Sequence, residues 1–201
     1  GVGDGDLVVP DNGSYHGLIR KDVKAPEPIP AEQIDFTHPN LAFTVRMTDH
    51  HGAESRIWYS YDRGKDWKGP FGLPNFGTPG IGARTDYIID SRNECILFLT
   101  AAKANGKEGR VMCVKTIDGG KNWDFVSWIG PEPDGFSIMP ASVRISDTEI
   151  LVTTRRREDS RRFIDAYLSK DNGATWSPLP NPVENCGQGN PPAMVKMKDG
   201  R

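Results

Sequence analysis

One short pattern occurs three times in this chain of 201 residues. It reads Ser60-Tyr61-Asp62-Arg63-Gly64-Lys65-Asp66-Trp67, then Thr116-Ile117-Asp118-Gly119-Gly120-Lys121-Asn122-Trp123, then Ser169-Lys170-Asp171-Asn172-Gly173-Ala174-Thr175-Trp176. The shared form is [Ser/Thr]-x-Asp-x-Gly-x-x-Trp, at intervals of 56 and 53 residues. A near-constant period of this size signals a repeat architecture with one supersecondary unit per period. Each letter suits a hairpin turn. The carboxylates of Asp62, Asp118 and Asp171 can accept backbone N–H bonds across the turn, helped by the Ser or Thr hydroxyl. Gly64, Gly120 and Gly173 supply positive φ without steric cost. Trp67, Trp123 and Trp176 can fold back as apolar plugs with a polar N–H edge. A group needed once per repeat reads as a structural staple rather than a catalytic residue.

Between the staples the apolar residues fall in short runs bounded by turn residues, with no sustained helical period, so the chain reads as all-β. The second repeat predicts strands over 83–90, 95–102, 110–116 and 124–129. The third predicts them over 138–145, 149–155 and 163–169, with a short last strand near Ser177 and an exposed arginine-rich loop at 155–162. In the first repeat, 41–47 and 56–60 fit second and third strands, with 15–20 as the first. Four antiparallel strands per repeat around an axis make a β-propeller. The repeats span about 14–75, 80–130 and 136–180, and 188–201 reads as the opening strand of a fourth, near 192–197. Three repeats are too few to close a ring of 4–8 blades, so further chain or a second copy is expected to complete it.

A formal net charge of −2, with both signs spread along the sequence, argues against a nucleic-acid or membrane-surface partner. No apolar run approaches the ~20 residues of a transmembrane helix. The start, Gly1-Val2-Gly3-Asp4, shows no signal peptide. Three cysteines do not make a disulfide framework. Pairing Ala102 with Arg110 would set Leu99 against Cys113 and Cys95 against Ile117, leaving the two sulfurs about four residues apart, too far to bridge. All three thiols are expected to be free, and no metal or cofactor motif is present.

The three motifs resemble the Asp-box (BNR) repeats of the sialidase superfamily, whose members are usually six-bladed propellers. The resemblance covers roughly residues 41–201. The family's Arg-Ile-Pro string has no match here, the nearest being Ile138-Met139-Pro140. The resemblance implies a secreted or periplasmic carbohydrate-active protein, with a sialidase-like glycoside hydrolase as the leading reading. A propeller polysaccharide lyase and a non-catalytic glycan-binding module are the alternatives.

Propeller geometry puts the staples on one face and the ligand site on the other, where inner strands begin and second-to-third loops converge. The residues there are His16, with Asp49, His50 and His51, in the first repeat; Arg84, Asp86 and Tyr87 in the second; Arg155, Arg156 and Glu158 in the third; and Gln188 before the fourth. Arg84 and Asp86 alternate by two and so should share one side, lining the channel. Arg84, Arg155 and Arg156 suit an anionic sugar. Tyr87, His50 and Gln188 would add contacts to it. Asp86, His16 and Glu158 are the candidates to carry protons.

Overall fold

A computed structural model describes residues 26–48, 52–187, 189–197 and 199, and nothing of the side chains of Arg84 and Glu108. His16, His50 and Gln188 lie outside the described residues, as do the expected strand over 15–20 and the neighbours of His50, Asp49 and His51. The described residues form three antiparallel sheets. The first runs β1 (Ala42–Met47), β2 (Ser55–Ser60) and β3 (Lys68–Gly72). The second runs β4 (Ile81–Ile89), β5 (Cys95–Ala102), β6 (Glu108–Thr116) and β7 (Asp124–Trp128). The third runs β8 (Phe136–Arg144), β9 (Ile150–Glu158), β10 (Arg161–Ser169) and β11 (Ser177–Val183). Successive sheets of nearest-neighbour order stacked on one another are blades of a β-propeller. Among the described residues no helix is long and apolar enough to cross a membrane.

The stacking explains why β5 reads Cys-Ile-Leu-Phe-Leu-Thr-Ala-Ala, apolar almost throughout rather than alternating. Every one of its residues is buried. A strand in a middle blade has a neighbour on both faces, so both sets of side chains are covered. Leu97, Leu99 and Ala101 join Ile57, Tyr59 and Phe71 of the first sheet in one core. Ile96 and Phe98, pointing the other way, join Ile150, Val152 and Tyr167 of the third sheet in a second core. Each fully buried Leu, Ile or Phe contributes about 1.5–3 kcal/mol relative to exposure. These two seams therefore dominate the stability of the fold.

The three repeated turns close one end of each sheet with the same bonds. The hydroxyls of Ser60, Thr116 and Ser169 donate to Asp62, Asp118 and Asp171 at 2.6, 2.9 and 2.8 Å. The same hydroxyls accept from the amides of Gly64, Gly120 and Gly173 at 2.9, 2.9 and 2.8 Å. Each carboxylate accepts from the amide four residues on, in Asp66, Asn122 and Thr175. The three glycines have φ of 85°, 84° and 88°, in the left-handed region that a side chain makes costly. The indoles differ. Trp67 Nε1 donates to its own turn at Gly64 O, and Trp176 Nε1 reaches Ser127 Oγ of the second sheet at 2.8 Å. Buried Trp123 Nε1 has no acceptor among the described residues. Ser127 is paired with Cys113, and the residue in the matching place on the first sheet is Phe71, paired with Ile57. Phenylalanine offers no acceptor, which accounts for the orphan.

These bonds fix a pH dependence. The Ser60 hydroxyl, followed by the Asp66 amide, pulls Asp62 down to about 2. Thr175 lowers Asp171. Burial pushes Asp118 up, but its bonds with Asn122 and Thr116 outweigh it and the net shift is downward. A carboxylate with a lower pKa folded than unfolded stabilises above its unfolded value and loses that contribution as pH falls through the folded one. The melting temperature should therefore fall as pH is taken from about 4 towards about 2. Asp62→Asn should flatten part of that fall in a calorimetric series. An unchanged acid limb in Asp62→Asn would contradict the assignment.

One expectation of register, one of extent and one of a further strand are corrected. A bulge between Ala101 and Ala102 sets Arg110 against Ala101, so Cys95 faces Thr116 and Cys113 faces Phe98. All three cysteines are nonetheless free. Burial raises the Cys95 thiol, and raises that of Cys113 to about 12, which makes both unreactive. Residues 155–162 are not an exposed loop. The β9–β10 ladder continues unbroken to the pair Glu158–Arg161, leaving only 159–160 as the turn, with Asp159 at φ 50°. The strand expected over 192–197 is not formed. A strand needs a ladder partner, and these residues instead run irregularly along the third sheet. Ala193, Met194 and Val195 lie near Val143, Ile145 and Leu151, and Lys196 Nζ donates to Ile145 O.

Candidate functional site

The inner strands β4 and β8 are both interrupted at the same level. In β4 the pairing jumps from Gly82–Thr100 to Asp86–Phe98, and in β8 from Ile138–Arg155 to Ala141–Thr153. Met139, inside the second interruption, has φ 53°. Bulges of this kind bend a strand and re-aim its side chains. Residue 84 sits inside the first interruption, where the strand pairing is lost. Below the bulge, alternation sends side chains to the two neighbouring blades rather than to the channel. Asp86 Oδ2 accepts from the amide and hydroxyl of Ser142 on β8, at 2.5 and 2.7 Å. Tyr87, on the opposite face, meets the ring of Phe43 on β1 edge-on at 5.5 Å. Burial raises the Tyr87 phenol. Asp86 is thus a tie between second and third blades, not an acid lining the channel, and Tyr87 belongs to the first seam.

The β9–β10 hairpin lies at the end of the third sheet opposite its Asp171 turn, and there the arginines divide by alternation. Arg156 points towards the second blade. Its two terminal nitrogens meet Asp165 Oδ2 at 3.0 Å and Glu158 Oε1 at 2.5 Å. Tyr167 Oη donates to the same Asp165 oxygen at 3.2 Å. Burial raises the Asp165 carboxyl, against a partly offsetting pull from Arg156. Burial lowers the Arg156 guanidinium, but its bonds to Asp165 and Glu158 prevail and hold it charged. Burial, then the Asp165 charge, pushes the Tyr167 phenol up to about 12. Gly130 of the connecting segment lies against Tyr167, where an added Cβ would stand 2.5 Å from its hydroxyl.

Arg155 points the other way. It donates to Gly189 O at 2.6 Å and its guanidinium lies 5.4 Å from the centre of the Phe136 ring. Arg157 Nε donates to Asp159 O, and Arg162 to Gly187 O. Phe136, Arg155, Arg156, Arg157, Arg162 and Gly189 enclose a cavity of about 250 Å³. Its lining is guanidinium groups with one aromatic wall. The structure thus brings Arg155, Arg156 and Glu158 together on one hairpin, and leaves Asp86 and Tyr87 in the blade seams. Phe136, Asp165 and Tyr167 were not singled out from sequence. Asp165 carried a signal all the same, as a lone acid in the apolar run Phe163-Ile164-Asp165-Ala166-Tyr167, where a buried charge demands a partner.

No protein-family model matches the chain, and no curated protein matches its sequence. Solved structures do resemble it. An α-L-arabinofuranosidase from Fusarium graminearum in complex with an iminosugar inhibitor aligns with a TM-score of 0.52 at 16% identity, over 76% of this chain and 47% of that one. A mutant of that enzyme aligns at 0.50 and 15%, over 73% and 50%. A protein of unknown function from Dyadobacter fermentans DSM 18053 aligns at 0.51 and 15%, over 69% and 37%. The chain spans half or less of the length of these structures. At such identity the likeness is one of fold. It places the chain among all-β propellers without singling out sialidases.

Proposed function

We propose that this chain is part of a propeller glycoside hydrolase acting on an acidic glycan. The observation that carries the reading is the cavity of the β9–β10 hairpin. Among the described residues Arg157 and Arg162 bond only to neutral carbonyl oxygens, so their charge is left for a ligand. Arginine presents paired N–H donors to a carboxylate or sulfate, and Phe136 offers an apolar wall for the ring that bears it. Glu158, bonded to Arg156 near the hairpin tip with its side chain 34% exposed, is the proton carrier in this reading. A sialic or uronic acid is the fitting unit. Such a substrate places the protein outside the cytoplasm, and further blades would close the ring around the axis. The fold likeness to an arabinofuranosidase supports a glycan-cleaving scaffold. A binding module is the second reading, favoured by the engagement of both Asp86 and Glu158 in structural bonds.

The test is to incubate the full chain with sialyl-, uronate-containing and neutral oligosaccharides and identify the products. Hydrolysed acidic glycan supports the proposal. Unsaturated, ultraviolet-absorbing products would replace it with a lyase, and tight binding without turnover with a module. The double change Arg157→Ala, Arg162→Ala should weaken acidic-glycan binding by about 10–100-fold and leave neutral glycans unaffected. Acidic-glycan binding that survives Arg157→Ala, Arg162→Ala unchanged would remove the site assignment.

A further inference from the structure

The face carrying the repeated turns holds a second, unrelated cleft. Segment 33–38 crosses there from the first blade to the second, where Ile34 N donates to Gly119 O and Phe36 N to Arg92 O. Beside it a cleft of about 580 Å³ is lined by Gln33, Asp35, His38, Tyr61, Arg92 and Asn93, with Ile34 at its base. Four of these side chains are held by bonds that use only part of what they offer. Arg92 Nε meets Asp35 Oδ2 at 3.1 Å, and no other described residue takes its two terminal nitrogens. Gln33 Nε2 donates to Asn93 Oδ1 at 3.0 Å, which leaves Gln33 Oε1 and Asn93 Nδ2 unspent among the described residues. Tyr61 Oη accepts from the Asp35 amide, and its own proton has no acceptor there. His38 lies against the Tyr61 ring, centroids 4.3 Å apart. Its Nδ1 accepts from Asn40 N, so in the neutral ring the proton is on Nε2.

We infer that this cleft is a carbohydrate-binding site for neutral, hydroxyl-rich sugar units, separate from the arginine hairpin. Its groups are planar hydrogen-bonding forks fixed in orientation by their neighbours, which is how a site selects a pattern of hydroxyls at low ordering cost. Arg92 and Asp35 cancel each other's charge, which disfavours phosphate or nucleic acid. The unspent donors of Arg92, Asn93 and Tyr61 match the lone pairs of sugar hydroxyls, and Gln33 Oε1 accepts in return. The paired rings of His38 and Tyr61 give the apolar wall. The turn face and the hairpin face are opposite ends of the sheets, so a polymer held here is anchored rather than cleaved.

The inference does not depend on the proposed hydrolase, and the experiment separates the two. The full chain is titrated with the neutral tetrasaccharides of xylose, arabinose and glucose. Binding is read from the side-chain N–H signals of Gln33, Asn93 and Arg92 and the ring signals of His38. At least one sugar should shift these signals. The change Arg92→Ala, Asn93→Ala should weaken that binding at least about tenfold, while Arg157→Ala, Arg162→Ala leaves it unchanged. No shift in the wild type with any neutral tetrasaccharide would overturn the inference, as would shifts that survive Arg92→Ala, Asn93→Ala, or shifts produced by acidic glycans alone.

Discussion

Arg156→Ala is expected to cost about 3–5 kcal/mol of folding stability, a large part of what holds a domain of this size together. The change removes the counter-charge from Asp165, a residue only 5% exposed in the seam between second and third blades. The penalty is that of a buried carboxylate left with the Tyr167 hydroxyl alone, not the small worth of an exposed ion pair. The pH response distinguishes this from simple loss of packing. The folded-state pKa of Asp165 already lies above its unfolded value because of burial. A group shifted that way stabilises below its unfolded pKa and loses the contribution as pH rises through the folded one. Without Arg156 the upward shift should grow. The variant should therefore recover part of its lost stability on mild acidification, opposite to the trend expected from Asp62, Asp118 and Asp171. Denaturant titrations of wild type and variant at neutral and mildly acidic pH test this, and a pH-independent difference would contradict it. Replacing Arg156 and Asp165 together by apolar residues should cost much less than Arg156→Ala alone.

Trp123→Ala should be comparably damaging, at about 3–5 kcal/mol, because the indole is 7% exposed and packs edge-on against Phe36. The informative comparison is with phenylalanine. Trp123 Nε1 is buried without an acceptor, so Trp123→Phe removes an unsatisfied donor along with some volume. Trp176 Nε1 bonds Ser127 Oγ across the seam, so Trp176→Phe forfeits that bond. Trp176→Phe should be the more destabilising by about 1 kcal/mol. The reverse order in matched thermal melts would show that the two turns do not differ in the way described.

The propeller was legible because its signals are local. A Ser or Thr, an Asp, a Gly and a Trp at fixed spacing specify the turn wherever they occur, and the runs around Cys95–Ala102 announce strands covered on both faces. What escaped was set by contacts distant in sequence. The extent of β9 and β10 could not be read from Arg155-Arg156-Arg157, since charge resembles loop until the ladder pairs it. The fate of Asp86 depended on Ser142, 56 positions away. The interruption of β4 around residue 84 was marked in sequence only by Gly82 at its edge, because a bulge is defined by the partner strand. The arginine hairpin was found for its composition, but which guanidinium is neutralised within it depended on Asp165 and Glu158, the partners of Arg156.

The paired interruptions in β4 and β8 have a consequence for diversification. Regular strand positions are committed to adjoining blades, so altering them endangers the architecture. The bulged stretches at 83–85 and 139–140 carry no ladder pairs. Pro140 is buried, so exchange in the second stretch is confined to Met139; there, and at half-buried Ala83, a change falls on an inner strand without breaking a pair, which makes these two positions the natural targets for a library aimed at new specificity.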